Sequence, residues 1–257
     1  MHSSWAARAS LNSYKSQRSG TSNDSVSPPS APITPFGSPG TLAHSFDLAR
    51  EGLLMGNAPQ LSQGGNGGAY FLKGVDGKTA AVFKPADEEP FAPNNPRGHR
   101  TSHNGEGMRK GTKAGEGAAR EVAAYLLDHG GFAGVPATSL ANLTDSVEDD
   151  GKLGSLQEYV ENTAEAEEFG PSMFPCEEVH KITILDIRLA NTDRNAGNIL
   201  VQSDEDGKIV RLIPIDHGYA LPHTLEDVCF EWEFWPQANM PYSDDVKEYV
   251  AMLDADE

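Results

Sequence analysis

The sequence predicts an α+β fold in two lobes: a sheet-and-helix N-terminal lobe over residues 61–155 and a shortened, mostly helical C-terminal lobe over 156–257. Three observations carry that expectation. Asp76-Gly77 and Asp206-Gly207 each stand between β-prone runs and mark two antiparallel hairpins. Helical periodicity falls between and after them, while residues 1–60 show little of either pattern. A chain of 257 residues, 38% hydrophobic and 23% charged, is long enough to bury the core of one large or two small domains.

Residues 1–40 hold eleven Ser, five Pro and three Gly and read as a disordered tail, with Ser27-Pro28, Thr34-Pro35 and Ser38-Pro39 as candidate proline-directed phosphorylation sites. The basic, acid-poor start also resembles a transit peptide, without a clear amphipathic helix. Residues 41–60 read as a weakly structured linker. A glycine cluster at 64–68 then leads into the first hairpin, with strands expected at 69–73 and 79–84. Residues 86–115, rich in Gly, Pro, Asn and basic side chains, have no apolar period and read as a long loop.

A helix is expected over 116–129, with Val122, Tyr125, Leu126 and His129 on one face and Gly130-Gly131 ending it. Leu153 to Val160 reads as a strand, and Pro175 to Ala190 as a helix with Val179, Ile182, Leu185, Ile187 and Leu189 as its apolar positions. A polar loop, Asn191 to Asn198, precedes the second hairpin. Asp216-His217-Gly218 and an aromatic stretch follow, then a final helix capped by Ser243.

Charge and cysteine content exclude several classes. The net charge is −18, with four basic and three acidic side chains in residues 1–60, nine and six in 61–120, and seven and twenty-nine in 121–257. An acidic half of this kind repels a nucleic-acid backbone, so no nucleic-acid partner is expected. No run approaches the roughly 18 apolar residues of a membrane-spanning helix. Cys176 and Cys229 are too few for a disulfide framework or a four-cysteine zinc site, which fits a reducing, cytoplasmic setting.

The chemistry concentrates at the junctions between these elements. Asp193, then Asn198 five residues later, then Asp216 beyond a hairpin is the order in which protein-kinase-like folds place a catalytic base and two magnesium ligands. Asn198 and Asp216 offer the hard oxygens that magnesium prefers, and Asp193 can orient or deprotonate an attacking hydroxyl. Upstream, Lys84 ends a strand that follows the glycine cluster, and Glu121 lies on the next helix, suited to pair with it. Taken singly, each has a plainer explanation: a polar turn, an edge-strand lysine, a surface glutamate, a linker glycine. Their shared chain order is what gives them weight.

Those residues sit in a wider pattern. Gly67-Gly68-Ala69-Tyr70-Phe71, Val82-Phe83-Lys84-Pro85-Ala86-Asp87-Glu88-Glu89-Pro90, Gly117-Ala118-Ala119-Arg120-Glu121-Val122, Ala190-Asn191-Thr192-Asp193-Arg194-Asn195-Ala196-Gly197-Asn198 and Trp235-Pro236-Gln237-Ala238 resemble the type II phosphatidylinositol 4-kinases, nearest to the plant gamma branch. The resemblance covers roughly residues 64–250. It implies a two-lobed protein-kinase-like fold and transfer of the ATP γ-phosphate to the inositol 4-hydroxyl of phosphatidylinositol, with magnesium or manganese. Lys84 and Asp193 would be the ATP lysine and catalytic aspartate, and Glu121 the partner of Lys84. Gly67, Gly68 and Asp216 would contact ATP, Gln157, Glu158 and Tyr159 would form its hinge, and Asn198 and Asp216 would hold the metal.

Three departures bear on the expectation. The 86–115 stretch lacks the cysteine-rich acylation motif of animal members, leaving Arg97, Arg100, Arg109, Lys110, Lys113 and Arg120 as a weak peripheral membrane contact over residues 97–120. No ubiquitin-like domain is expected within residues 1–60, ahead of the catalytic region. The chain ends at Glu257, where the family continues with more helices, so the second lobe is expected to be incomplete. A protein Ser/Thr kinase and a nucleotide-binding pseudokinase or scaffold are the alternative functions.

Overall fold

The computed structural model describes residues 32–36, 40–100, 105–144, 151–162, 164–225 and 228–253. Ser27, Ser38 and most of the Ser/Pro-rich tail lie outside the described residues. The chain divides into two compact units, one of residues up to 108 with 113–122 and 137–159, the other of 109–112, 123–136 and 160 onward. The expected lobe boundary at 155/156 therefore moves to 159/160, because strand β6 (Lys152–Glu158) lies in the middle of the first unit's sheet.

That sheet has six antiparallel strands in the order β1-β5-β6-β4-β3-β2, with β1 Ile33–Pro35, β2 Gln60–Leu61, β3 Tyr70–Lys73, β4 Thr79–Pro85 and β5 Thr138–Leu143. The β3–β4 hairpin forms as expected, its turn closed by Asp76 Oδ1 accepting the Lys78 N–H and by Gly77 at φ +81°. Side chains alternate across β4, so Phe83 is fully buried while Lys84 projects from the opposite face. Gly154 on β6 permits a close approach, since a Cβ there would lie 2.4 Å from the Lys84 carbonyl oxygen. Strand β5 departs from the sequence expectation, because its Thr-Ser-Leu-Ala-Asn-Leu run has weak strand character. Pairing with β6 over six residues holds it in place.

Residues 41–60 are not a linker. Helix α1 (Ala43–Leu54) packs on β3 and β4 through Phe46, Ala49 and Gly52, and a Cβ at Gly52 would fall 1.8 Å from the Lys73 oxygen. Three of its four buried positions, Ser45, Ala49 and Gly52, are small, so the apolar period is faint in sequence and tertiary packing stabilises the helix. β1 and β2 likewise extend the folded part into the segment expected to be a tail.

The described parts of the long 86–115 stretch, residues 86–100 and 105–115, carry many internal hydrogen bonds. Asn95, fully buried, donates to the carbonyls of Asn66, Glu88 and Glu89 and accepts from the Arg97 and His99 amides. Arg97 clasps the carbonyls of Ser62, Gln63, Gly64 and Gly67 at 2.6–3.3 Å. Arg100 bonds the Asn95 carbonyl and Arg120 pairs with Glu116. Three of the cations expected to face an anionic surface, Arg97, Arg100 and Arg120, thus make hydrogen bonds or ion pairs within the chain.

Helix α2 spans Gly117–Leu127. Its buried positions are Gly117, Ala118, Arg120, Glu121 and Ala124 rather than Val122 and Leu126, the latter 65% exposed. The helix starts where Glu89 caps it, accepting the amides of Gly115, Gly117 and Ala118 at 2.7–3.1 Å.

In the second unit, β7 (Ala164–Glu165), β8 (Ile199–Ser203) and β9 (Ile209–Pro214) form an antiparallel sheet. Asp204 Oδ1 closes the β8–β9 turn by accepting the Asp206 and Lys208 amides. Helix α3 (Cys176–Leu189) lays Val179 and Ile182 on a cluster with Ile199, Val201, Leu212, Phe174, Trp232 and Trp235. Leu185 and Leu189 join Ala124, Ala133, Val135 and Ala220 in a second cluster. Ile187 is 54% exposed, and the polar Thr183 and Asp186 take buried positions in its place. Gln237 of the Trp-Pro-Gln segment donates to the carbonyls of Pro171 and Phe174, tying that segment to the start of α3. Ser243 caps the last helix, α4 (Asp244–Met252), as expected. No helix among the described residues is long and apolar enough to cross a membrane.

Candidate active site

In the first unit, Lys84 Nζ lies 2.5 Å from Glu121 Oε1, and the Glu121 side chain is only 3% exposed. β4 delivers the lysine and the capped first turn of α2 delivers the glutamate. A buried carboxylate with a charged partner of this kind sets the lysine's position, as a phosphate-binding ammonium requires.

The glycine cluster, where ATP contact was expected at Gly67 and Gly68, packs closely on Glu88 and Pro90. The Gly68 N–H donates to the Glu88 carbonyl, and a Cβ on Gly68 would lie 2.3 Å from Glu88 Oε2. Gly67 and Gly68 are needed for this close approach to Glu88 and Pro90, and the Gly68 amide is already taken. The carboxylate of Glu88 is held by Tyr70 Oη–H and Lys152 Nζ, each 2.6 Å away.

At the expected hinge, the Gln157 side chain donates to Thr138 Oγ1 across the β5–β6 pair. The amides of Glu158 and Tyr159 donate to the carbonyls of Ala137 and Ala80. The N–H groups of both residues are therefore taken by the chain itself. Tyr159 stands edge-on to Phe71, ring centres 6.0 Å apart.

The second unit brings Asp193, Asn198 and Asp216 together through a buried polar network. Arg194 Nε lies 3.0–3.1 Å from both oxygens of Asp186, and both side chains are fully buried. The Arg194 Nη1 donates to the carbonyls of Asn198 and Ile215, and Nη2 to His217 Nε2 at 3.0 Å. One side chain therefore ties the end of the polar loop to the residues on both sides of Asp216. Trp232 Nε1–H and Asn191 Nδ2 donate to the remaining positions on Asp186.

Backbone pairing reinforces that tie, since the Ile215 amide donates to the Asn198 carbonyl at 3.0 Å. Asp216 adopts a left-handed φ of +58°, a strained conformation for a residue other than glycine that the surrounding bonds sustain. Asn198 Nδ2 and Asn195 Nδ2 both donate to the Asp193 carbonyl. The amide of Asn198 thus turns its nitrogen inward and leaves its oxygen as a donor to a cation. With the Asp216 carboxylate this makes a pair of hard oxygen ligands, a set that suits a magnesium ion sharing its sphere with nucleotide phosphates and water. No cluster of three or more His, Cys, Asp or Glu ligands occurs among the described residues, so a cage built wholly from protein is absent there.

Arg109 donates to Asp193 Oδ1 through Nε at 2.9 Å and through Nη2. Burial pushes the Asp193 carboxyl above the ordinary range, Arg109 opposes that, and Asp216 adds to it. Sequence reasoning placed Lys84, Glu121, Asp193, Asn198 and Asp216 but assigned no site role to Arg109, Arg194, Asp186 or His217. The signal available for Arg194 was an arginine inside an otherwise polar loop; nothing local marks the other three.

The family model for phosphatidylinositol 3- and 4-kinase matches residues 66–257. Phosphatidylinositol 4-kinase gamma 4 of Arabidopsis thaliana is 53% identical over 229 residues, covering 81% of this chain and 40% of that protein. Its namesake in Oryza sativa subsp. japonica is 51% identical over 216 residues, 80% of this chain and 38% of the relative. Phosphatidylinositol 4-kinase gamma 2 of Arabidopsis thaliana is 45% identical over 243 residues, 85% and 44%. The chain spans well under half the length of these curated relatives.

Proposed function

The chain belongs to the phosphatidylinositol 3- and 4-kinase family, and from that membership we propose that it transfers the γ-phosphate of ATP to the 4-hydroxyl of the inositol ring of phosphatidylinositol. The observation that carries the reading is the Arg194 network, which gathers Asp193, Asn198 and Asp216 within one unit. Relatives named phosphatidylinositol 4-kinase gamma support the lipid acceptor.

In this reading Lys84, held by Glu121, binds nucleotide phosphate. Asp193 orients the acceptor hydroxyl and takes its proton, while Asn198 and Asp216 hold magnesium or manganese. Such a metal, held by Asn198 and Asp216, would supply positive charge to offset that of the nucleotide phosphates. Catalysis then rests on positioning and electrostatics, with no covalent intermediate on the protein.

The test is phosphate transfer from labelled ATP, with phosphatidylinositol vesicles and a protein acceptor in parallel, for wild type and Asp193→Asn. Label in the lipid that the variant abolishes is the expected result. Label in protein alone would reassign the acceptor to a Ser/Thr hydroxyl, and no label in either would leave a nucleotide-binding scaffold.

A further inference from the structure

The loop that carries Asp193 presents no cation on its open side. Its one basic residue, Arg194, is turned inward against Asp186 and His217, and Asn195, Ala196 and Gly197 are uncharged. Phosphoryl transfer needs positive charge near the oxygens of the group in flight, often from an arginine brought in by another segment. Here such an arginine comes from 84 residues earlier in the chain, and it already touches the Asp193 carboxylate.

Arg109 is held by a turn built for that placement. Thr112, 3% exposed, donates its hydroxyl and its amide to the Arg109 carbonyl. The Gly111 carbonyl accepts the His223 amide at 2.9 Å, which pins the turn to the segment that follows Asp216. Gly111 has φ +77°, and a Cβ there would lie 2.8 Å from the Thr224 oxygen, so both conformation and space call for glycine. The Arg109 side chain remains 49% exposed. Two of its nitrogens, Nε and Nη2, address the single oxygen Oδ1. Among the described residues, Oδ2 of Asp193 accepts no hydrogen bond and Nη1 of Arg109 donates none.

We propose that Arg109 is a catalytic residue of the phosphoryl transfer, holding Asp193 by Oδ1 so that Oδ2 meets the acceptor hydroxyl, and placing its free nitrogen on the phosphoryl group in transit. The inference rests on the phosphotransfer reading above. In the step, the acceptor oxygen bonds to the γ-phosphorus as the bond from phosphorus to the β,γ-bridging oxygen breaks. ADP leaves with that electron pair, and the hydroxyl proton passes to Asp193 Oδ2. A purely inhibitory contact, with the guanidinium blocking the carboxylate, predicts the opposite sign on removal.

The experiment compares wild type, Arg109→Met and Arg109→Lys as the full chain, with melting temperature as the check on folding. Turnover expected for Arg109→Met is lower by about 10²–10³-fold, with KM for ATP within about threefold of wild type. Arg109→Lys should recover only part, because an ammonium cannot hold Oδ1 and reach the phosphoryl group together. A second readout needs no turnover: magnesium and aluminium fluoride, which with ADP mimic the phosphoryl group in flight, should tighten ADP binding in wild type and not in Arg109→Met. Equal or faster turnover in Arg109→Met, or tightening that survives the substitution, overturns the proposal. Wild type that transfers no phosphate, yet shows Arg109-dependent tightening, would refute the acceptor assignment and keep the role of Arg109. Wild type that shows neither overturns both.

Discussion

Replacing Arg194 by Met removes the inner member of a pair whose two side chains are both fully buried. Asp186 keeps the Trp232 and Asn191 donors but loses its counter-charge, and the Ile215 carbonyl and His217 lose the guanidinium. An uncompensated buried carboxylate costs about 3–5 kcal/mol. The orphaned carbonyl adds about 1–3 kcal/mol, less whatever relaxation recovers. The expected loss is therefore a large fraction of a typical domain stability of about 5–15 kcal/mol. Arg194→Met with Asp186→Leu removes both charges, and should cost less than the two single variants added together, by about 2 kcal/mol or more. Urea unfolding followed by tryptophan fluorescence reads this directly, since Trp232 bonds Asp186 and lies with Trp235 in the same core cluster. A loss below about 1 kcal/mol for Arg194→Met, or strict additivity in the double variant, would refute the reasoning. Manganese titration of the folded double variant, in the presence of ADP, should show weaker metal binding because Asn198 and Asp216 are no longer tied together.

The same geometry makes further measurements decisive. Glu121→Gln keeps the shape but removes the charge that holds Lys84, so kcat/KM for ATP should fall about tenfold or more with little change in melting temperature; an unchanged value would refute the pairing role. Gly154→Ala drives a Cβ to 2.4 Å from the Lys84 oxygen and 2.8 Å from the Phe83 ring. It should destabilise the first unit by about 1–3 kcal/mol in thermal melts, and an unaltered melt would show that β4 shifts freely. Tyr70 titrates well above the ordinary tyrosine range, first through burial and then through its bond to Glu88. Its folded value thus lies above its unfolded one, so its stabilisation is intact below pH of about 10 and is lost as pH climbs further. Tyr70→Phe should flatten the alkaline limb of stability in melts taken between about pH 8 and 11, and an equally steep limb would exclude Tyr70 as its source.

Local patterns carried much of the architecture. Asp-Gly turns between β-prone runs are closed by contacts inside the turn itself, as at Asp76 and Asp204, so both hairpins were legible. The 116–129 and 175–190 helices were legible from apolar period, although their inward faces include Glu121, Thr183 and Asp186, polar residues that period counts as outward. Helix α1 and β5 were not legible, since both depend on neighbours distant in sequence: α1 on the backbone of Lys73, β5 on the whole length of β6.

For the candidate site, residue type and order were enough to point to Lys84, Glu121, Asp193, Asn198 and Asp216, because the proposed phosphoryl transfer calls for an ammonium, a base and hard oxygen ligands in a recognisable sequence. Tertiary structure alone decided how those groups are held. Asp186 reaches Arg194 across eight residues, Arg194 reaches Ile215 across 21, and Arg109 reaches Asp193 across 84. Nothing in a local window distinguishes such an arginine from a surface cation; burial, a docked turn and a partner's free oxygen do, and these exist only once the chain has folded.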